Sequence, residues 1–240
     1  AAPVSAGAEV SALRSRRAEV LARIAEACAR AGRDPAGVTL VAVSKTVPVE
    51  RLCAAVEAGL TVLGENRVQE ATAKVPLVAG AAWHLVGPLQ SNKARRAVEL
   101  FEMIETVDSV DLARRLDRIA GEIRPGAPLP VLVQVNVDRD PAKVGLLPET
   151  LAEALGRIVE LPNLRPAGLM TIGRLVDDAG DARPTFAALR ELSSRLRATC
   201  PALGPELSMG MTDDYPVAVE EGATIVRVGR ALFGERPRPG

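Results

Sequence analysis

The 240-residue sequence is short of aromatic side chains, cysteine and histidine. Phe, Trp and Tyr make up 2% of the chain, so the core has to be aliphatic, and the 48% hydrophobic content supplies it. Cys28, Cys53 and Cys200 form no C-x-x-C pair, which argues against a disulfide framework and a zinc site. His84 is the only histidine, and no serine stands in a G-x-S-x-G turn. We therefore predict no metal site and no Ser-His-Asp hydrolase, in a reducing, cytoplasmic setting.

Net charge and long apolar runs are absent too. Thirty basic and thirty acidic side chains cancel, and the pI near 6.9 gives no basic excess for binding a phosphate backbone. The chain has no run of roughly 18 apolar residues for a membrane span, and its start lacks the charged-then-apolar order of a secretory signal. We expect a cytoplasmic monomer with neither nucleic acid nor a membrane as partner.

Short apolar runs rich in β-branched residues alternate with amphipathic segments along the chain. The predicted strands are 39–43, 61–63, 83–86, 103–107, 131–137, 167–172, 207–211 and 224–228. The predicted helices include 8–31, 49–58, 91–100, 112–123, 148–159, 186–198 and 215–221. Apolar strands linked by helices form parallel sheets, and eight such units match a closed (β/α)8 TIM barrel, with an open doubly wound sheet as the alternative. We predict one domain over 1–240, with 8–31 as an additional N-terminal helix and 235–240 as a loose tail.

Lysine is scarce, and only one lysine directly follows a predicted strand. Lys45 comes after the apolar stretch VAVS, whereas Lys74 and Lys93 fall on predicted helices and Lys143 in the loop after strand five. Because the loops after barrel strands share one face, the Lys45 amine should project there with an apolar stem. Desolvation lowers the pKa of such an amine and yields the neutral form that condenses with aldehydes. The alternative is a lysine that simply reaches solvent.

The ends of strands seven and eight have the groups that a phosphate needs. Gly210 and Gly229 allow backbone N–H groups to approach an anion, Ser208 and Thr212 offer hydroxyls, and a helix is predicted after Asp213. Phosphate sites of barrels often lie at this position. The alternative is two tight turns that need glycine for backbone reasons alone.

Arg227 lies within the apolar run of strand eight, where a charged side chain needs an acceptor. A pyridine nitrogen is one candidate, and Asp108, Glu65 or a carbonyl group is the structural alternative. A lysine, a phosphate cradle and an arginine are together the parts of a pyridoxal phosphate site.

Seven segments from Leu40 to Gly234 resemble the pyridoxal-phosphate homeostasis protein family, whose fold is like the barrel domain of alanine racemase. They are VAVSKTVP, GENRVQEA, WHLVGPLQSNKAR, LVQVN, GLMTIG, LSMGMTDDY and VRVGRALFG. The resemblance implies a protein that binds pyridoxal 5′-phosphate (PLP) without catalysing a reaction. It implies a part in vitamin B6 and amino-acid homeostasis, with PLP-dependent apo-enzymes as candidate partners.

Residue by residue, the resemblance implies a Schiff base between PLP and Lys45, a polar contact from Asn66 near the ring, and Arg227 on the pyridine nitrogen. The phosphate is expected on Ser208, Thr212 and the backbone around Gly229 and Arg230. His84 matches the WH pair of the family without a clear role. The chain departs from the family pattern at Arg230, where Ser or Thr is frequent, and at Gly173, where proline is common.

The alternative function is that of a weak amino-acid racemase or another PLP enzyme. Two-base racemisation needs an acid-base group on each face of the cofactor, and in alanine racemase a tyrosine from another domain supplies the second. The only tyrosine here, Tyr215, is predicted to pack near the start of the helix after strand seven. An arginine on the pyridine nitrogen also weakens the ring as an electron sink. We therefore predict a carrier or regulator with no catalytic residues.

Overall fold

Eight parallel strands close into a barrel in chain order in the computed structural model, which describes residues 6–174, 176 and 178–234. The strands are β1 Thr39–Val43, β2 Val62–Glu65, β3 Ala82–Leu85, β4 Met103–Val107, β5 Leu129–Gln134, β6 Leu164–Met170, β7 Glu206–Ser208 and β8 Ile225–Val228. Strand β1 pairs with both β2 and β8. The predicted TIM barrel is therefore confirmed, and the open doubly wound alternative is wrong.

Helices alternate with the strands and cover the barrel. They are α1 Ala6–Arg30, α2 Val49–Glu57, α3 Val68–Lys74, α4 Ala94–Leu100, α5 Val110–Ile123, α6 Pro148–Ile158, α7 Arg183–Thr199, α8 Tyr215–Glu220 and α9 Arg230–Phe233. Helix α1 corresponds to the predicted helix 8–31 and packs against α8 and α9, where Arg16 donates to the Leu232 carbonyl at 3.2 Å. The predicted tail 235–240 lies outside the described residues.

The predicted end of strand seven is wrong. Strand β7 stops at Ser208 rather than at Met211, because Gly210 has a φ of 90° and the chain turns there. The Asp214 carboxylate then accepts from the Met211 N–H at 2.6 Å, which fixes the turn ahead of α8. Residues 209–212 are consequently a loop above the barrel.

Apolar side chains form two layers, one between the strands and the helices and one inside the barrel. The inner layer consists of Val41, Val86, Leu132, Ala167, Met170 and Ile225. Val226 and Val228 belong to the outer layer. Because side chains alternate along a strand, Arg227 points into the barrel between them. The lumen thus contains a polar group beside its small apolar cluster.

Across the described part of the chain, none of the helices combines the length and the apolar character needed to cross a bilayer.

Candidate functional site

Three of the residues predicted for the site meet around one cavity at the carboxyl ends of β1 and β8. Lys45, Gly229 and Arg230 line this cavity of about 140 Å³, which we call the rim cavity. Lys45 is half-buried. Strands β1 and β8 pair with Ala42 opposite Val228, so the two strand ends lie side by side. The closed barrel therefore brings together groups separated by more than half of the sequence.

Asn66 directly follows strand β2, a neighbour of β1 in the barrel. Strand β1 pairs with β2 through Val43 and Gly64, so the loops that contain Lys45 and Asn66 begin next to each other. Asn66 also borders a wider groove that contains Arg67 and Lys93. The structure thus places Asn66 in the loop after β2, at the edge of this groove.

The backbone directly after Lys45 is strained. Thr46 has a φ of 65°, a left-handed conformation that a β-branched residue rarely adopts. Its N–H donates to Glu70 Oε2 at 3.3 Å, and the Val47 N–H donates to the Ser44 carbonyl at 3.0 Å, which closes the turn around Lys45. Such strain, which costs about 1–3 kcal/mol, concentrates at functional sites.

A buried ion pair supports this turn, and the sequence analysis missed it. Lys74 Nζ lies 2.5 Å from Glu65 Oε1 and 2.9 Å from the Ser44 carbonyl oxygen. Glu65 also accepts from the Ser44 hydroxyl at 2.8 Å and from the Asn66 N–H at 3.1 Å. The ion pair therefore fixes the backbone just before Lys45 and at Asn66. Its only sequence signal was the Glu70–Lys74 spacing, which sets an acidic and a basic side chain on one face of α3.

Arg227 is buried in the lumen, and its partners differ from most of those predicted. Its guanidinium donates to Ser208 Oγ at 2.5 Å and to the Thr171 carbonyl at 2.8 Å, so the predicted carbonyl is present. Among the described residues, Asp108 and Glu65 make no hydrogen bond or ion pair to Arg227. Burial lowers the pKa of Arg227.

Two further buried side chains extend this network across the barrel. The Ser208 hydroxyl donates to Glu105 Oε2 at 2.5 Å, and His84 Nδ1 lies 2.7 Å from Glu105 Oε1. Glu105 is fully buried and was missed by the sequence analysis. The charges of Glu105 and Asp214 oppose the lowering of the Arg227 pKa. The structure therefore places Ser208 with Arg227 in the lumen rather than among the residues that line the rim cavity.

The two candidate phosphate glycines occupy different environments. A Cβ added at Gly210 would lie 2.5 Å from Ala218 Cβ, so tight packing against α8 explains this glycine. At Gly229, φ is −115° and an added Cβ would make only an ordinary contact of 3.6 Å with Val43. The Gly229 N–H donates to Thr212 Oγ1 at 3.3 Å, which brings Thr212 to the strand end. Gly229 and Thr212 thus meet at the end of β8, whereas Gly210 is explained by its packing against α8.

Arg230 and Tyr215 have interaction partners outside the network of Arg227 and Ser208. Arg230 pairs with Asp213 at the surface. Tyr215 is fully buried, with the Arg23 guanidinium of α1 5.6 Å from its ring centre, and burial raises the pKa of its hydroxyl. In the residues that the structure covers, no group of three or more His, Cys, Asp and Glu side chains is arranged for a metal ion.

Residues 17–237 match the family model for the alanine racemase N-terminal domain. The pyridoxal phosphate homeostasis protein of Pseudomonas aeruginosa is 46% identical over 91% of this chain and 94% of its own length. That of Aquifex aeolicus is 42% identical over 92% of this chain and 97% of its own length.

Solved structures agree with this relationship. PipY of Synechococcus elongatus, solved with PLP bound, is 44% identical, with a TM-score of 0.77 over 88% of this chain and 100% of its own. Alanine racemase of Clostridium difficile is 15% identical, with a TM-score of 0.73 over 95% of this chain and 57% of its own, and shows the fold alone. On the strength of these similarities over nearly its whole length, the chain belongs to the pyridoxal phosphate homeostasis protein family.

Proposed function

We propose that the chain binds PLP at the rim cavity, on the Lys45 amine, and serves vitamin B6 and amino-acid homeostasis in the cytoplasm without catalysing a reaction. The observation that supports this most is the meeting of Lys45 with Gly229 and Arg230 around one cavity. Relatives more than 40% identical are named for PLP homeostasis, and PipY was solved with PLP bound. A monomeric state and PLP-dependent apo-enzymes as recipients remain our predictions.

The donor groups at the strand ends fit the three functional ends of PLP. The aldehyde requires an amine, which Lys45 offers at the end of β1. The phosphate requires N–H and hydroxyl donors, and we assign it to Gly229, Arg230 and Thr212. The pyridine nitrogen requires a donor, and Arg227 can only donate. When bound, PLP supplies an electrophilic carbonyl carbon and a ring that withdraws electrons.

Each group of this chain has a separate task in holding the ligand. Glu65 and Lys74 fix the turn from which the Lys45 side chain leaves β1. Asn66, in the loop after β2, is assigned a polar contact beside the ring. We assign Ser208 to the support of Arg227 rather than to the phosphate, because its hydroxyl already bonds Glu105 and Arg227.

The placement of the acid-base groups favours a carrier over a racemase. Tyr215 packs under α1, so it is not available as a second base at the rim cavity. His84 is engaged by Glu105 inside the barrel. Arg227 keeps its protons at neutral pH and therefore leaves a bound pyridine nitrogen unprotonated. None of these residues supplies the second proton transfer that racemisation needs.

Borohydride reduction followed by peptide mass mapping tests the proposal. The protein loaded with PLP should show a visible absorbance band that disappears on reduction, with the label on Lys45. Lys45→Ala should abolish the band, whereas the matched variant Lys93→Ala should keep it. Labelling of another lysine, or a band that survives in Lys45→Ala, would overturn the assignment. Sustained α-hydrogen exchange of L-alanine in deuterated water would instead favour the racemase.

A further inference from the structure

The lumen contains a chain of hydrogen bonds that joins four strands and ends on a single carboxylate. It runs from Arg227 on β8 through Ser208 on β7 to Glu105 on β4, and His84 on β3 bonds the same carboxylate. Strands β4 and β7 are not neighbours in the barrel, so the Ser208–Glu105 bond crosses the lumen. All four side chains are buried. We call this set the lumen relay.

The direction of each hydrogen bond in the lumen relay is fixed by chemistry. A guanidinium can only donate and an ionised carboxylate can only accept. The single Ser208 hydrogen must therefore point to Glu105, which leaves its lone pairs for Arg227. We assign a hydrogen to His84 Nδ1, which lies 2.7 Å from the other oxygen of this carboxylate. Glu105 is the common acceptor for both ends of the chain.

We propose that Glu105 is a positioning residue, which fixes Arg227 through Ser208 and balances its buried charge, and that His84 reports on the occupancy of the site. This inference rests on the proposed function, because Arg227 is the group assigned to the pyridine nitrogen. A buried cation needs an opposite charge nearby. The apolar side chains beside Arg227 lower the local dielectric, which strengthens the attraction between Arg227 and Glu105. A guanidinium held by Ser208 and Thr171 has little freedom to turn away from a ligand.

Two variants separate the charge of the relay from its hydrogen bonds. In Glu105→Gln the amide oxygen can still accept from Ser208, and its NH₂ can face His84 if the imidazole moves its hydrogen to Nε2. The charge is then lost and the bonding kept. In Ser208→Ala the charge is kept and the bridge is lost. We expect each variant to weaken PLP binding by roughly tenfold, the scale of one charge-assisted hydrogen bond.

The single histidine makes the relay directly observable. In ¹⁵N NMR of the imidazole, His84 of the PLP-free wild type should show the Nδ1–H form, and Glu105→Gln should convert it to the Nε2–H form. Addition of PLP should shift the wild-type signal, and Ser208→Ala should remove this shift at saturating PLP. A purely structural role of Ser208 would lower stability without uncoupling His84 from the ligand.

Glu102→Gln is the matched control, since it makes the same change at an exposed position three residues earlier in the chain. It should leave the PLP affinity and the His84 signal unchanged. An equal PLP-induced shift in Ser208→Ala and wild type, or unchanged affinity in both relay variants, would overturn the proposal. Retention of the reducible band in Lys45→Ala would instead overturn the proposed function, so the two failures are distinguishable.

Discussion

Two buried carboxylates, Glu65 and Glu105, serve this barrel in different ways. Glu65 meets the Lys74 ammonium directly at 2.5 Å, and the pair bonds backbone groups of Ser44 and Asn66. Among the described residues, Glu105 reaches its cation through the Ser208 hydroxyl, and its hydrogen bonds go to the side chains of Ser208 and His84. The first arrangement fixes the course of the chain, whereas the second aims a side chain into the lumen. We therefore assign the Glu65–Lys74 pair, which bonds the backbone, a structural role. Glu105, which bonds side chains, is assigned the role of positioning Arg227 for a ligand.

Removal of the direct cation should give the largest loss of stability. Lys74→Met leaves Glu65 buried without its counter-charge, and we expect a loss of about 3–5 kcal/mol in the free energy of unfolding, measured by urea denaturation. Lys93→Met is the control, because Lys93 makes no ion pair among the described residues, and it should change stability by less than about 0.5 kcal/mol. Addition of Glu65→Gln to Lys74→Met should recover part of the loss. Equal stability of the two lysine variants would contradict a scaffold role for the ion pair.

Gly210 and Gly229 also differ in role, one in packing and one in the proposed contact with PLP. Their substitution should change stability less than Lys74→Met does. Gly210→Ala places a methyl group 2.5 Å from Ala218 at a left-handed φ, and we expect a loss of about 2 kcal/mol in stability. Gly229→Ala meets no such obstacle and should cost less than about 0.5 kcal/mol. Its added methyl group nevertheless lies at the rim cavity, so PLP affinity should fall. Thermal unfolding should therefore show the larger loss of stability in Gly210→Ala, and PLP titration the loss of affinity in Gly229→Ala. A Gly229→Ala protein with unaltered affinity would count against the phosphate assignment.

The fold was predictable because its signal is local. Apolar β-branched runs identify the strands, and the closed barrel follows from their number. Helix α3 was predicted only through Lys74, without bounds, and α9 was missed, because seven and four residues are too few for a helical period to show. The end of β7 was misplaced because LSMGM is mostly apolar, while the turn at Gly210 depends on packing against Ala218.

The site was predictable only in part, for a physical reason. Lys45 and Gly229 follow strands directly, and barrel topology alone brings strand ends together. Glu105 and Ser208 are 103 positions apart and meet across the lumen, which requires the register of every intervening strand. The side-chain parity of β8 does place Arg227 inside the barrel, but it does not identify the partner. The buried role of Lys74 likewise depends on where α3 begins.

The smallest expected effect on stability concerns the adjacent carboxylates Asp213 and Asp214, and it is measured by varying the pH. Burial raises the pKa of Asp214, so the folded protein keeps this proton to a higher pH than the unfolded chain does. Stability from this group is therefore full below the unfolded pKa and is lost as pH rises through the folded value. Asp214→Asn should remove that decline, because an amide does not titrate at acidic pH. The amide oxygen can still accept from the Met211 N–H, so the turn is kept. Asp213→Asn, at the exposed neighbour, should keep the decline when unfolding is measured across acidic pH. An unchanged pH profile in Asp214→Asn would show that desolvation of this carboxylate does not weaken the fold, and would leave its charge acting only as a second partner for Arg227.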